Sequence, residues 1–198
     1  MPAELLLYYC SNENQKIRLQ FQIVLQCAPL LKGMKAAAVL KIARESRRYL
    51  KELFSETDIL YRVLYDNREI CLVFFYREND LHQYLNQVGI RRFLKEYGYN
   101  EMECGNVLTR LGGRIQKFLE QNTEFPHEIG ALLGYPLEDV REFIRHNGKK
   151  CILSGYWKVY QNPGRASMIF RAYDRAKVCA VNEFLVGRSL SEIAKKGV

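Results

Sequence analysis

Three short stretches of the chain combine residue types that can do chemistry. The first is the turn from Cys27 to Lys35, which holds a thiol and an ammonium group. The second starts at Pro126, where His127 can exchange a proton or act as an axial-type ligand. The third is "GYWKVY", residues 155–160, in which aromatic rings flank a lysine. We predict that the three stretches meet in one pocket.

The pocket hypothesis assigns a role to each candidate residue. His127 and Cys27 are the catalytic candidates, as acid/base and as thiolate or soft ligand. No metal site is predicted, because the zincin pattern H-E-x-x-H fails at Ala131 in "HEIGA". The residues indicate no particular cofactor. The ligand-binding candidates, of which the two lysines would meet an anionic group, are Lys35, Glu128, Tyr135, Trp157, Lys158 and Tyr160.

The "GYWKVY" stretch is ambiguous between a binding strand and a core strand. In an extended strand, Tyr156, Lys158 and Tyr160 share one face, while Trp157 and Val159 share the other. An aromatic-flanked lysine suits a planar or anionic ligand. A half-buried strand whose tryptophan enters the core is the competing interpretation.

Residues 126–146 have the rhythm of a helix-turn-helix, with Gly134 in the turn. A DNA-reading helix needs donors to phosphates and bases in its first turn. Here that turn carries Glu138 and Asp139, which oppose phosphate approach. The segment is therefore a plain helical corner, the wall of a ligand site or a nucleic-acid reader.

Asp139 is expected to be structural. Its carboxylate should accept hydrogen bonds from free N–H groups at the helix start, or pair with a nearby cation. The loss of such a cap predicts a cost of about 0.5–2 kcal/mol for Asp139→Ala.

Composition indicates a cytoplasmic globular protein. The chain has 198 residues, of which 48% are hydrophobic and 26% charged. Neither a signal peptide nor a membrane span is expected, so no membrane partner is predicted. The net charge of +8 is spread along the chain, so it is weak evidence for nucleic acid, an anionic ligand or an acidic protein as a partner. The cysteines lack metal-site spacing and are expected to be buried thiols: Cys10, Cys27, Cys71, Cys104, Cys151 and Cys179.

Periodicity predicts one α+β domain over residues 1–198, with a small antiparallel sheet of about three strands surrounded by seven to nine helices. Helices are predicted over 15–31 and 35–54. A hairpin should follow in "DILYRVLY" and "EICLVFFYR", with the second strand central because it is nearly all apolar. Residues 151–162 are predicted as the third strand.

Three motifs resemble a family of bacterial proteins, found mainly in anaerobic Firmicutes, that is catalogued as domain of unknown function 3793. They are "CAPLLKGMKAAAVL" at 27–40, "FPHEIGALLGYPLEDVREFI" at 125–144 and "GYWKVY" at 155–160. The resemblance covers nearly the whole chain and implies a cytoplasmic bacterial protein. It implies no reaction.

The leading functional hypothesis is a ligand- or cofactor-binding protein whose partner is a small-molecule or anionic ligand. Whether it is an enzyme is left open. A nucleic-acid-binding protein that uses residues 126–146 is one alternative. A protein-interaction module without catalysis is the other. The sequence does not indicate an oligomeric state.

Overall fold

A computed structural model of the protein describes residues 8–9 and 11–194. Within them lie nine α-helices, a 3-10 helix and five short strands, which confirms the α+β class. Contacts divide the chain into two compact units. Unit 1 comprises residues up to Arg77 and from Tyr173 onward, and unit 2 comprises Glu78–Ala172. The single-domain organisation stays a prediction, and Cys10 lies outside the described residues.

Unit 1 is a three-stranded sheet with helices. Asn14 caps the first helix by accepting hydrogen bonds from the backbone N–H groups of Lys16 and Ile17. Ser189 and Glu192 form a capping box at the last helix. The elements in chain order are α1 (Gln15–Leu31), β1 (Ala37–Ala43), a 3-10 helix (Arg44–Tyr49), α2 (Leu50–Phe54), β2 (Ile59–Asp66), β3 (Ile70–Arg77), the part of α8 (Pro163–Leu185) from Tyr173 on, and α9 (Leu190–Ile193).

The sheet has the strand order β1-β3-β2, and every pairing is antiparallel. The predicted hairpin is confirmed as β2 and β3, joined by a turn in which the Asn67 side chain accepts hydrogen bonds from two backbone N–H groups. Strand β3 is central and mostly buried, as its apolar sequence predicts.

The predicted helix over 35–54 is wrong in its first half. Residues Ala37–Ala43 form β1 and pair along β3, with Leu40 opposite Val73 and Ile42 opposite Cys71. Leu40 and Ile42 are buried, whereas Lys41 and Ala43 are exposed, so the strand has the period of two typical of a sheet. The long-range pairing overrides the helical propensity of the alanines.

The core of unit 1 lies between the sheet and α1. Burial of these side chains drives the folding of the unit, at about 25 cal/mol for each Å² of apolar surface removed from water. The largest members that are almost wholly buried are Leu19, Phe21, Ile23, Leu30, Leu31, Leu40, Ile42, Leu50 and Phe75.

Arg77 is a buried cation that joins the ends of two helices. One terminal nitrogen donates to the carbonyl of Leu31 at 3.1 Å and to that of Ala194 at 2.7 Å. The other terminal nitrogen pairs with Asp58. Carbonyls at helix C-termini lack partners within their own helices, so the guanidinium satisfies groups that would otherwise be unpaired.

Replacement of Arg77 by methionine is therefore expected to lower the free energy of unfolding by about 2–4 kcal/mol, because buried carbonyls lose their donor. Urea titration followed by circular dichroism measures the loss. Arg62→Met, on the more exposed strand β2, is the matched control and should change stability by less than about 0.5 kcal/mol. Equal stability of the two variants would contradict the proposed role of Arg77.

Unit 2 is mainly helical. Its elements are α3 (Glu78–Leu85), α4 (Val88–Glu96), α5 (Cys104–Gln121), α6 (Ile129–Leu132), α7 (Leu137–Arg145), β4 (Leu153–Ser154), β5 (Lys158–Val159) and the beginning of α8. Gly98 follows α4 with a positive φ of 77°, the conformation that favours glycine after a helix C-terminus.

The predicted strand over 151–162 is wrong as a member of the three-stranded sheet. Only Leu153–Ser154 and Lys158–Val159 pair, as a separate two-stranded hairpin. Gly155 bends the chain between them. A Cβ at Gly155 would lie 2.2 Å from the ring of Phe170, so the bend needs glycine for steric reasons.

Candidate functional site

A cavity of about 470 Å³ lies within unit 2. That volume falls within the range of about 300–1,000 Å³ usual for small-molecule sites. Residues before, within and after the α6–α7 corner form part of its wall, and the β4–β5 hairpin forms another part. The lining residues are Phe125, His127, Ile129, Gly130, Tyr135, Asp139, Val140, Phe143, Ser154, Gly155, Trp157 and Lys158.

One run of rings passes through the cavity wall. The ring centroids of Phe118 and Phe125 are 5.1 Å apart, those of Phe125 and His127 5.2 Å, and those of His127 and Phe143 5.3 Å. These spacings are those of favourable tilted and edge-to-face pairs. The run therefore presents ring surface to the cavity at three successive lining positions.

A second run of rings is built around Trp157. Its indole stacks on Tyr135 at 5.6 Å and meets the edge of Phe170 at 4.5 Å. Trp157 and Val159 are buried, whereas Lys158 is exposed, so the alternation predicted for this stretch is confirmed. Trp157 enters the core, as the core-strand interpretation predicts, and it also lines the cavity, whereas ligand binding by this stretch stays a prediction.

Asp139 fixes the hairpin against α7. One carboxylate oxygen accepts a hydrogen bond from the indole N–H of Trp157 at 2.8 Å, and the other accepts from the backbone N–H groups of Tyr160 and Gln161 at 2.8 and 3.1 Å. The predicted structural role is confirmed, but the predicted partners are wrong. Asp139 bonds the hairpin rather than N–H groups at the start of its own helix.

Lys158 is held at the cavity by its neighbours. Its ammonium donates to the carbonyl of Gly148 at 2.5 Å and lies 5.8 Å from the ring centre of Phe143. Ser154 is its cross-strand partner in the hairpin. Directly paired residues project from the same face of a sheet, so the side chains of Ser154 and Lys158 both leave this face of the hairpin.

His127 is half-buried, in contact with the rings of Phe125 and Phe143. Within residues 8–9 and 11–194, neither imidazole nitrogen has a hydrogen-bond partner. His127 precedes α6, which begins only at Ile129 and has four residues. The imidazole is a polar group available to a molecule in the cavity.

Glu128 has a packing role next to the cavity. It is fully buried, accepts a hydrogen bond from the hydroxyl of Tyr99 at 3.0 Å and forms an ion pair with Arg114. Burial raises the pKa of Tyr99, and the charge of Glu128 raises it further, so the phenol stays protonated and donates. Glu128 is not among the lining residues, and its predicted contact with a ligand has no support.

Tyr160 also lies outside the cavity lining. Its ring stacks on His146 at 6.0 Å, and its buried hydroxyl has no hydrogen-bond partner among the described residues. Burial raises the pKa of this phenol. The ligand-binding role predicted for Tyr160 stays a prediction.

Cys27 and Lys35 belong to unit 1, and neither lines the cavity. Burial raises the pKa of the Cys27 thiol to about 12, against the opposing effect of Lys35. Burial lowers the pKa of Lys35 to about 8. A catalytic thiolate is therefore disfavoured at Cys27. The pocket shared by all three stretches stays a prediction.

The sequence-based site omits Phe125, Phe143 and Ser154. The two phenylalanines stand at either end of the motif that contains His127. Phe125 lies two residues before His127, whereas the contact of Phe143 with the imidazole depends on the tight α6–α7 turn. Ser154 is separated from Lys158 by only the bend of the hairpin. A hairpin interpretation of "LSGYWKV", with Gly155 as the turn signal, would have paired the two residues.

The α6–α7 corner has few features of a DNA reader. Glu138 is exposed in the first turn of α7, and Arg141 pairs with Glu96 at 2.9 Å. Nucleic-acid binding therefore stays an untested alternative. Across the residues that the structure covers, no three His, Cys, Asp or Glu side chains are grouped to hold a metal ion. No helix in the same residues is long and apolar enough to span a membrane.

The three-motif resemblance is borne out over most of the chain. Residues 23–194 match the family described as "Protein of unknown function (DUF3793)". No curated protein and no solved structure is a significant match. All the residues that line the cavity fall within the matched range. The chain therefore belongs to the DUF3793 family.

Proposed function

We propose that the protein binds a planar, largely apolar small molecule in the cavity of unit 2. The observation that carries this proposal is the concentration of aromatic side chains around one cavity of ligand size: Phe125, Tyr135, Phe143 and Trp157 all line it. Aromatic faces attract other flat rings through stacking and edge contacts, beyond the effect of burial alone.

The rings are held in place before any ligand arrives. Asp139 fixes the indole of Trp157, while Glu128 fixes the chain between His127 and Ile129. A preorganised site loses little conformational entropy on binding, and this favours affinity. The unpaired imidazole of His127 supplies hydrogen-bonding capacity at one position in the otherwise aromatic run.

The neutral dye N-phenyl-1-naphthylamine tests the proposal, since its aromatic rings are flat and apolar and its fluorescence brightens in apolar surroundings. We expect saturable binding to the folded protein, and a loss of affinity of about 2- to 10-fold in Phe143→Leu, which removes one aromatic wall. Fluorescence titration of the parent and the variant measures both effects.

Phe184→Leu is the matched control, because Phe184 is a half-buried aromatic residue of unit 1 that does not line the cavity. This variant should bind the dye as the parent does. Absence of saturable binding, or equal losses in the two variants, would contradict the proposal. Thermal melts of all three proteins confirm that the comparison is made between folded chains.

A further inference from the structure

We infer that the planar ligand carries a carboxylate-type anion, which binds Lys158 and Ser154 at the hairpin. This inference rests on the proposed function and names the chemical class of the molecule that the cavity selects. Lys158 and Ser154 both line the cavity and are paired directly across the two strands.

The ammonium of Lys158 has N–H donors that the Gly148 carbonyl does not use. A lysine has three N–H donors, and the Gly148 carbonyl takes one of them. No carboxylate of the described residues forms an ion pair with Lys158. The bond to Gly148 and the contact with the ring of Phe143 restrict the otherwise flexible side chain, so its two remaining donors are partly preoriented.

Ser154 adds a neutral donor on the same face of the hairpin. Because the residues are direct cross-strand partners, their side chains leave the same face of the hairpin. No hydrogen bond occupies the Ser154 hydroxyl within the part of the chain that the structure covers. One ammonium group and one hydroxyl can together donate to the two oxygens of a carboxylate.

The local charge favours an anion over a cation. Among the described lining residues, Asp139 alone carries a carboxylate, and three N–H donors already occupy its two oxygens. Lys149 and Lys150 are exposed and directly follow the glycine that Lys158 contacts. A cationic ligand would therefore be repelled by the one lysine of the lining, Lys158, while the carboxylate oxygens of Asp139 are already occupied by N–H donors.

Two isosteric probes separate charge from shape: 2-naphthoate and 2-naphthamide. Each is titrated against the protein loaded with N-phenyl-1-naphthylamine, and displacement of the dye gives its affinity. We expect naphthoate to bind about tenfold more tightly than naphthamide, since charge-assisted hydrogen bonds are about twice as strong as neutral ones. In Lys158→Met this difference should disappear, while the affinity for naphthamide stays within about twofold of the parent.

Lys149→Met is the matched control, because it removes the same charge from an exposed lysine that does not line the cavity. It should retain the preference for naphthoate. Equal affinities of the two probes in the parent, or failure of both to displace the bound dye, would overturn the anion assignment and leave the proposed function standing. Absence of dye binding would instead overturn the proposed function itself.

Discussion

Replacement of Asp139 by asparagine is expected to lower the free energy of unfolding by about 2–4 kcal/mol. Asp139 is 4% exposed, and its two oxygens accept three hydrogen bonds. An asparagine that keeps the backbone N–H donors of Tyr160 and Gln161 turns its own NH₂ group toward the indole N–H of Trp157. Two donors then face each other in a buried site. Chemical denaturation measures the loss.

The neighbouring Glu138→Gln is the control for this prediction, because Glu138 is exposed and its replacement should change stability by less than about 0.5 kcal/mol. A double-mutant cycle with Trp157→Phe locates the cause. Removal of the indole donor should make the asparagine less harmful, with a coupling of about 1–3 kcal/mol. Additive effects of the two substitutions would show that the Asp139–Trp157 bond does not account for the loss.

The second large effect is expected at Glu128. Glu128→Ala should cost about 3–5 kcal/mol of stability, because it leaves the partly buried guanidinium of Arg114 and the phenol of Tyr99 without their acceptor. Tyr99→Phe removes only one hydrogen bond to the same carboxylate and should cost about 1 kcal/mol. Urea denaturation of the two variants and the parent gives both values.

The double variant Glu128→Leu/Arg114→Met separates an unpaired charge from a lost packing contact. Replacement of both partners by apolar groups removes the stranded charge, so it should be much less harmful than Glu128→Ala. Dye affinity should fall in Glu128→Ala, since Glu128 holds the chain between His127 and Ile129, which both line the cavity. A double variant as unstable as Glu128→Ala would contradict the charge explanation.

The parts of the fold that were predictable are those with a local signal. Strands β2 and β3 are rich in β-branched and aromatic residues and are separated by a polar turn, so the hairpin could be inferred from sequence. Strand β1 could not, because its alanines favour a helix and its pairing with β3 depends on residues far along the chain. Residues 151–162 were predicted as one strand, whereas the β4–β5 hairpin has only two residues in each strand, so sequence periodicity did not reveal the bend between them.

The sequence indicated which residue types belong to the candidate site, but it did not indicate which groups their side chains contact. Of the predicted site residues, His127, Tyr135, Trp157 and Lys158 line the cavity, and their roles toward a ligand stay predictions. Glu128 was also predicted to contact a ligand, but its carboxylate bonds Tyr99 and Arg114 instead. Side-chain direction in a short turn is set by tertiary contacts, and residue type alone does not reveal it.

Energy transfer from Trp157 to bound N-phenyl-1-naphthylamine tests most directly whether the aromatic cavity is the ligand site. Trp157 is the only tryptophan of the chain and lies in the cavity wall. Dye in the cavity would therefore contact or closely approach the indole. We predict that Trp157 emission falls in proportion to dye bound and is mostly quenched at saturation. Saturable dye fluorescence with unchanged Trp157 emission would place the dye elsewhere and contradict a binding site in this cavity.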